Sequence, residues 1–481
     1  MFRIKAVQMP STIEAIFVSA VIIFIMSFSI IFLETVPHIP IIFAVLFLMV
    51  YGFIKKVAYK DMEEGITEGA KVGIAATLIF FFIGILISAW MIGGTIPTLV
   101  YFGFNLVTPK FFLAIVFVVA SIIGISIGSS LTTVGTVGVA FIGIASTLDI
   151  SLAMTAGAVV SGAFFGDKMS PLSDTTNMAS SVLKVDLFDH IRNMGWTTIP
   201  AFIISLILFA VLSPNITGAD FDAMYTFQAG LLDTGLVSWY AGVIPIAVLI
   251  ICSIRKMPAI LSLALGSLAA IIISFFNEVR SLGDIIGILY GGYVSETGIE
   301  EVDALLTRGG MESMFFTIGI VLLALSLGGL LFTLGIVPQL LSAIEAKLQK
   351  VRSVILSSAL TAIGINVLIG EQYLSVLLTG ESYAPQYKKV GLHNINLARV
   401  SEDAGTVVNP LVPWSVCGVF ITTVLGVSTL AYLPFAFFCL LSPILTVFYG
   451  FTGKTLTYLT EEEKLEAEQE ALQATNEDAL A

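Results

Sequence analysis

A run of polar and charged residues interrupts an otherwise apolar part of the chain at residues 166–177. It reads Gly-Asp-Lys-Met-Ser-Pro-Leu-Ser-Asp-Thr-Thr-Asn and follows the apolar stretch Ala153–Phe165. Asp167 and Asp174 supply carboxylates within this run. The neutral oxygen donors around them are Ser170, Ser173, Thr175, Thr176 and Asn177. Carboxylate and neutral oxygens are the ligands of hard cations, so the pattern predicts a Na⁺ site that uses Asp167 and Asp174.

The same carboxylates are candidates for carrying protons. Burial favours the neutral acid and a bound cation favours the carboxylate, so Na⁺ and H⁺ compete for one group. Such competition is sufficient for Na⁺/H⁺ exchange. We expect Asp174 to be this group, because Lys168 directly follows Asp167 whereas Asp174 has no basic neighbour. The alternative is that Asp167, Lys168 and Asp174 form a packed ion-pair network or lie in a cytoplasmic loop.

A second polar interruption lies at residues 363–418. Its candidate ion- or substrate-binding residues are Glu371, Thr406, Asn409 and Ser415. Gly405–Leu411 repeats the pattern of Gly166–Leu172, in which a glycine and three further residues precede a polar residue and Pro-Leu. This spacing predicts that Pro171 and Pro410 are equivalent. Interrupted segments at corresponding positions of two halves indicate the binding site of a transporter.

Three prolines, Pro171, Pro410 and Pro413, are predicted to break helices. Proline has no N–H group, so the carbonyl four residues earlier loses its helical partner. We therefore expect free main-chain oxygens at Asp167, Thr406 and Asn409.

Three basic or aromatic residues near these breaks suggest other roles. Lys168 and Trp414 are candidates for contacts with an organic substrate, through charge and stacking respectively. Arg399 is interpreted as part of a cytoplasmic loop.

The composition of the chain indicates the elements that must position these residues. Of 481 residues, 57% are hydrophobic and 12% are charged, and the mean hydropathy is +1.00. Soluble domains are about 25% charged. A membrane-spanning helix needs about 20 apolar residues, and runs of this kind recur along the chain. The sequence predicts an all-α polytopic membrane protein with about 10–12 transmembrane segments.

Basic residues predict the orientation of these segments. Lys55 and Lys56 follow the second apolar run and Arg255 follows a later one, whereas Ser213–Ser238 contains no Lys or Arg. The positive-inside rule then places both termini in the cytoplasm. The predicted organisation is a cytoplasmic N-terminus (1–11), a first transmembrane half (12–213, broken near 124–182), an extracytoplasmic loop (214–238), a second transmembrane half (239–450, broken near 363–418) and an acidic cytoplasmic tail (451–481).

The sequence does not contain a complete nucleotide-binding loop motif. Its one Gly-Lys-Thr, which begins at Gly453, has Phe448 where a phosphate-binding loop needs its first glycine. An ion gradient is therefore the expected driving force, and we expect neither an enzyme activity nor a cofactor. An ion channel is the less favoured alternative.

Residues 162–177 closely resemble the signature of the NhaC family of Na⁺/H⁺ antiporters. The segments 37–40, 90–97 and 409–414 are similar to further parts of that family. The resemblance implies two inverted repeats with broken helices or re-entrant hairpins, a homodimer, and a bacterial or archaeal plasma membrane. It also implies a second possibility, Na⁺- and H⁺-coupled transport of malate, lactate or an amino acid. The expected partners are membrane lipid and the transported solutes, not nucleic acid.

Overall fold

The computed structural model describes residues 6–106, 111–213, 221–255, 257–277, 280–299, 302–303, 306–345 and 349–463. Parts of three predicted regions lie outside these residues: 1–5 of the N-terminus, 214–220 of the loop and 464–481 of the acidic tail.

Regular structure in the described ranges is helical apart from two isolated β-bridges. The helices are α1 (Thr12–Ser27), α2 (His38–Ile54), α3 (Tyr59–Val72), α4 (Ile74–Ile92), α5 (Thr95–Leu106), α6 (Phe112–Ile127), α7 (Ser130–Thr133), α8 (Val139–Thr147), α9 (Leu152–Met169), α10 (Asp174–Leu183), α11 (Leu187–Leu212), α12 (Phe221–Asp233), α13 (Trp239–Ile254), α14 (Ala259–Asn277), α15 (Leu282–Gly291), α16 (Phe315–Thr333), α17 (Ile336–Glu345), α18 (Val351–Ile369), α19 (Gln372–Lys389), α20 (Asn394–Ser401), α21 (Val416–Leu425), α22 (Thr429–Tyr432) and α23 (Phe437–Thr452). Short π-helical turns follow α1, α7 and α20, the last of them at Glu402–Thr406.

Many of these helices have the length and composition of membrane spans. Seven helical stretches in the described residues qualify, and two pairs bent by 43° and 58° bring the number to nine if each pair is one span. The shorter apolar helices include α2, α6, α13 and α15. The all-α polytopic membrane fold is therefore confirmed. The count of 10–12 segments stays a prediction, because it depends on how these shorter helices are counted.

Small residues bring the helices near the first interruption into close contact. A Cβ atom added to Gly166 of α9 would lie 2.6 Å from the Cα of Gly124 in α6. The two backbones approach this closely because neither glycine has a side chain. This packing places the C-terminal end of α9, which carries Asp167, beside the C-terminal end of α6.

The predicted loop 214–238 contains helix α12. Phe227 is 2% exposed and Leu231 is fully buried. These residues are four positions apart, so they share one face of a helix. The segment between the two predicted transmembrane halves thus contains a helix at residues 221–233, and its extracytoplasmic position stays a prediction.

Arg399 lies in α20 and is only 1% exposed, so its interpretation as part of a cytoplasmic loop was wrong. Its Nη1 donates to the carbonyl oxygen of Thr455 at 3.1 Å. A buried polar partner, which the sequence does not display, is what permits a guanidinium group in this position.

Candidate functional site

The first break in the helical structure separates α6 from α7. Gly128 has a left-handed backbone, with φ of 73°, and Ser129 is extended, with φ of −150° and ψ of 117°. The chain then starts a new helix at Ser130, and the Ser129 hydroxyl accepts from the N–H of Thr132 at 3.3 Å. Glycine is required at the first of these positions because other residues rarely adopt this backbone. The break leaves the N–H group of Ser130 available to a side chain from another helix.

The second element is a hairpin made by α9 and α10. Helix α9 ends at Met169, and Ser173 begins the next helix by accepting from the N–H of Thr176 at 3.4 Å. Ser170 lies in the turn, where its hydroxyl donates to the carbonyl oxygen of Ile125 in α6 at 2.8 Å. The hairpin turn is therefore fixed against the broken helix.

Asp167 joins these two elements. Its side chain is 5% exposed, and Oδ2 accepts from the N–H of Ser130 at 3.1 Å. Its main-chain oxygen accepts from the N–H of Ser170 at 3.1 Å. The carbonyl oxygen of Asp167 is therefore not free, and this prediction was wrong. The last turn of α9 closes with a hydrogen bond between residues three apart, and Pro171 lies after it in the hairpin turn.

A cavity of about 370 Å³ lies where the break and the hairpin meet. Its polar wall consists of Ser129, Ser130, Thr132, Asp167, Asp174, Thr175, Asn177, Gln372 and Tyr373. Its other wall comes from α4, α13, α14 and the segment between α13 and α14, and it includes Leu249, Met257 and Leu263. The cavity thus combines two carboxylates with an apolar face.

The two carboxylates of the cavity have different surroundings. Asp167 is buried, whereas Asp174, the first residue of α10, is exposed. Water screens an exposed charge far more than a buried one. Asp167 is therefore the less screened of the two carboxylates, and the sequence-based preference for Asp174 stays a prediction.

Three other residues of the predicted first site support the hairpin. The amide nitrogen of Asn177 donates to the carbonyl oxygens of Pro171 and Ser173 at 2.9 and 2.7 Å. The hydroxyls of Ser173 and Thr175 are 3.1 Å apart. Because these bonds stay within the hairpin, they hold its turn in shape beside the cavity.

A second broken helix repeats the geometry of the first. Gly370, with φ of 76°, ends α18, and Glu371 is extended, with φ of −131° and ψ of 125°. The Glu371 carboxylate accepts from the N–H of Leu374 at 2.7 Å. Glu371 therefore occupies the helix-capping position that Ser129 has in the first break.

The second turn lies between the π-helical turn and α21. Ser415 begins α21 by accepting from the N–H of Gly418 at 3.0 Å. Val412 donates its N–H to the carbonyl oxygen of Asn409 at 3.1 Å, as Ser170 does to Asp167. The Asn409 carbonyl also accepts from the Ser415 hydroxyl at 2.5 Å, so the free oxygen predicted for Asn409 was wrong.

The structure corrects the predicted register between the two halves. Gly370 follows Gly128 by 242 residues, and the same spacing relates Ser173 to Ser415. It also pairs Pro171 with Pro413, not with the predicted Pro410, which belongs instead to the short helical turn Asn409–Leu411.

Asn409 is consequently the counterpart of Asp167. Its amide nitrogen donates to Asn366 Oδ1 at 2.8 Å and to the carbonyl oxygen of Gly370 at 3.2 Å. Each half therefore ties its turn to its broken helix, but only the first half does so with a carboxylate.

Several predicted residues do not line the cavity. Lys168 is fully buried and pairs with Asp403. Trp414 is buried, and its Nε1–H donates to the carbonyl oxygen of Val367 at 2.7 Å. The others that lie outside the cavity wall are Ser170, Ser173, Thr176, Glu371, Thr406, Asn409, Pro410, Pro413 and Ser415.

Sequence reasoning missed the cavity residues Ser129, Ser130 and Thr132. A glycine followed by a polar stretch, Gly128-Ser-Ser-Leu-Thr-Thr, was the available signal. The same signal at Gly370 precedes Gln372 and Tyr373, which also line the cavity.

The left-handed glycine gives a direct test of this geometry. A Cβ at Gly128 would lie 2.7 Å from the Cβ of Leu172, so Gly128→Ala combines backbone strain with a clash. We expect a loss of stability of about 1–2 kcal/mol and weaker Na⁺ binding, because the N–H of Ser130 must shift. Thermal unfolding in detergent and Na⁺ titration measure the two effects. Gly364→Ala is the control, since its Cβ meets no atom within 4 Å; equal behaviour of both variants would contradict the assignment.

Paired broken helices around an acidic cavity, inside a bundle of apolar helices, define a membrane protein of the secondary transporter class. The model of the Na⁺/H⁺ antiporter family matches residues 162–454. The chain belongs to this family, which confirms the family predicted from residues 162–177.

Known relatives include proteins with different named substrates. The chain is 42% identical to the Na⁺/H⁺ antiporter NhaC of Alkalihalophilus pseudofirmus, over 88% of this chain and 91% of that protein. It is 34% identical to the malate-2H⁺/Na⁺-lactate antiporter of Bacillus subtilis, over 97% and 99% of the two chains. It is 36% identical to the arginine/ornithine antiporter ArcD of Halobacterium salinarum, over 92% of each.

Proposed function

We propose that this protein exchanges Na⁺ for H⁺ across the membrane and that Asp167 is the carboxylate for which the two ions compete. The observation that carries the proposal is the position of Asp167, which is buried where the broken helix and the hairpin meet and which lines the cavity. Similarity to the NhaC antiporter over most of the chain supports the same activity.

The surroundings of Asp167 suit alternate binding of the two ions. Without a cation, burial favours the neutral acid. With Na⁺ in the cavity, the carboxylate and nearby hydroxyl oxygens such as those of Ser129 and Thr132 replace part of the ion's hydration shell. Only one of the two ions is held at a time, so a Na⁺ gradient drives protons in the opposite direction.

Competition at one carboxylate predicts how pH changes the affinity for Na⁺. Lower pH fills Asp167 with protons, so the Na⁺ concentration that gives half-maximal exchange should rise about tenfold for each pH unit below the point of half-protonation. The maximal rate at saturating Na⁺ should change much less. Proton flux in liposomes, measured over a Na⁺ series at several pH values, tests this. A half-maximal concentration that does not depend on pH would exclude direct competition.

An organic solute is a second candidate for the same cavity. The cavity volume is about 370 Å³, whereas one water molecule occupies about 30 Å³ in the liquid. Leu249, Met257 and Leu263 give the cavity an apolar wall that a bare ion does not use. The named substrates of the two relatives above fit this alternative. Flux that depends on malate, lactate or an amino acid would establish it.

The setting of the transporter is also part of the proposal. We place both termini in the cytoplasm of a bacterial or archaeal cell, with membrane lipid around a homodimer of inverted repeats and no cofactor. The cavity reaches Met257, which lies two residues after Arg255, so this conformation opens toward the cytoplasm under the predicted orientation. Labelling of single cysteines at residues 257 and 239 from either side of the membrane tests that orientation.

A further inference from the structure

A second cavity, of about 300 Å³, is lined by residues of α4, α8, α21 and the connection between α15 and α16. Ile87 of α4 and Val139 of α8 belong to its wall. The cavity that contains Asp167 includes other residues of the same part of the chain, Ile79 of α4 and Thr132 of α7. The cavity with Asp167 is called the inner cavity below, and the one with Ile87 and Val139 the outer cavity.

The two cavities follow one another along these helices. Ile79 and Ile87 are eight residues apart on α4, and Thr132 and Val139 are seven residues apart on the stretch from α7 to α8. A helical rise of about 1.5 Å per residue gives a separation of about 10–12 Å on both. Ile79 lies near the start of α4, which follows Lys71, and Ile87 lies near its end. Under the predicted orientation, the outer cavity is therefore on the side away from the cytoplasm.

Buried apolar residues fill the space between the cavities. Phe80 of α4 and Phe420 of α21 are fully buried, and their rings stack with centroids 5.2 Å apart and planes at 19°. A Cβ atom added to Gly135 would lie 3.2 Å from Ile83 Cγ2 and 3.7 Å from Phe420 Cζ, so the π-helical turn after α7 closes against the same side chains. Phe80, Ile83, Gly135 and Phe420 are called the apolar barrier below.

The positions of these residues in the chain agree with a barrier between the cavities. Phe80 and Ile83 lie between the two cavity positions of α4, and Gly135 lies between those of the α7–α8 stretch. On α21, Phe420 precedes Thr423, which lines the outer cavity, by about one turn. None of the four barrier residues lines either cavity. A closed apolar constriction excludes water and so blocks the passage of ions.

The outer cavity differs from the inner one in charge. Arg308 lines it, and its Nη1 donates to the carbonyl oxygen of Val424 at 3.3 Å. No carboxylate is among the described residues that line this cavity. Hard cations are held by carboxylate and neutral oxygens, and the guanidinium group repels them. The outer cavity therefore suits release of a cation and not its retention, in contrast to the inner cavity with Asp167.

We propose that the outer cavity is the far end of the ion pathway and that the stacked pair of Phe80 and Phe420 keeps ions from passing between the cavities without exchange. The proposal rests on the proposed exchange of Na⁺ for H⁺ and assigns a role in its coupling to residues outside both cavities. Phe420 belongs to α21, which begins at the second turn, whereas Phe80 belongs to α4. Opening toward the outer cavity thus requires these two helices to separate and the bond between Arg308 and Val424 to break.

The test is proton entry into liposomes that contain the full chain, in Na⁺-free choline medium. An inside-negative potential is set with internal K⁺ and valinomycin, and an internal pH dye reports the protons. The wild-type protein should admit protons little faster than empty vesicles, because the barrier is closed and Na⁺ is absent. Phe80→Ala and Phe420→Ala each remove a ring from the barrier and let water join the cavities, so protons should enter several-fold faster than with the wild type.

Phe209→Ala is the matched control. Phe209 is also fully buried, its ring lies 4.9 Å from that of Phe437, and it lines neither cavity. Loss of its ring should lower the temperature of thermal unfolding in detergent about as much as the barrier variants do, yet admit no extra protons. Vesicles that stay tight with both barrier variants, or an equal leak with Phe209→Ala, would overturn the proposal.

A milder change keeps the test decisive if the alanine variants do not fold. Phe420→Leu retains much of the volume of the ring, so it should fold, and it should still admit protons faster than Phe209→Leu. Equal rates for these two leucine variants would contradict the barrier. The leak is measured without Na⁺, so its outcome does not depend on exchange. A wild-type protein with no Na⁺-driven proton flux would instead refute the proposed function.

Discussion

Asp167→Asn should abolish Na⁺-driven proton movement, with a loss on the order of 100-fold or more. The amide has the shape of the carboxylate and can still accept from the N–H of Ser130, which lies 3.1 Å from Asp167 Oδ2, so the protein should fold. It can neither bind the exchanged proton nor balance the charge of Na⁺. Loss of one partner of a buried charge pair costs about 3–5 kcal/mol, and 1.4 kcal/mol corresponds to a factor of ten.

The measurement is proton flux after a Na⁺ pulse to reconstituted variants. Asp189→Asn is the matched control, because this carboxylate is exposed on α11 and pairs with the exposed Arg192. Asp174→Asn gives the contrasting case, and we expect a smaller loss because Asp174 is solvated at the cavity wall. If Asp174→Asn abolished exchange while Asp167→Asn retained it, the assignment made from the sequence would be correct and the present one wrong.

Asp403→Asn should destabilise the folded protein by about 3–5 kcal/mol, because it leaves the Lys168 ammonium group buried without a counter-charge. The side chains of both residues are fully buried, and the Lys168 Nζ lies 5.9 Å from the centroid of the Phe438 ring. An aromatic ring compensates only part of the loss of a carboxylate. The expected result is a large drop in the temperature of thermal unfolding in detergent.

A second change should reverse much of this loss. Lys168→Met combined with Asp403→Asn removes both charges, and such replacements of a buried ion pair are often neutral. The double variant should therefore be more stable than Asp403→Asn alone. Glu68→Gln is the control, since it breaks an exposed pair with Lys71 whose contribution is at most about 1 kcal/mol. A single variant at Asp403 as stable as the wild type would show that the pair does not form.

The two broken segments were predictable from the sequence because their cause is local. Glycine, proline and small polar residues interrupt apolar runs, and such interruptions persist in a membrane protein only where they are buried or line a cavity. Gly128, Gly370, Pro171 and Pro413 all lie at the predicted breaks. The all-α fold follows in the same way from hydropathy.

The partners of the charged residues were not predictable, because they depend on the packing of distant segments. Lys168 and Asp403 are 235 residues apart in the chain. Adjacency in sequence suggested that Lys168 neutralises Asp167, yet neighbouring residues on a helix point in different directions. The exposure of Asp174 likewise depends on where α10 starts, and its predicted role stays a prediction.

The equivalence of the two halves was misjudged for a different reason. The repeated Pro-Leu dipeptide favoured Pro410 as the counterpart of Pro171. The backbone instead repeats its capping bonds at Ser173 and Ser415. A short helical turn that contains Pro410 precedes the second turn, so the Pro-Leu dipeptide of the second half lies three residues before the position equivalent to Pro171.

The most direct test of the central claim is a Na⁺ pulse to the purified protein in liposomes that contain a pH dye. The pulse is given alone and with malate, lactate or arginine. The account predicts proton movement out of the vesicles with Na⁺ alone, and a shift of the half-maximal Na⁺ concentration with pH. Proton movement that requires one of the organic solutes would contradict exchange of the inorganic ions alone and would make that solute the substrate of the cavity.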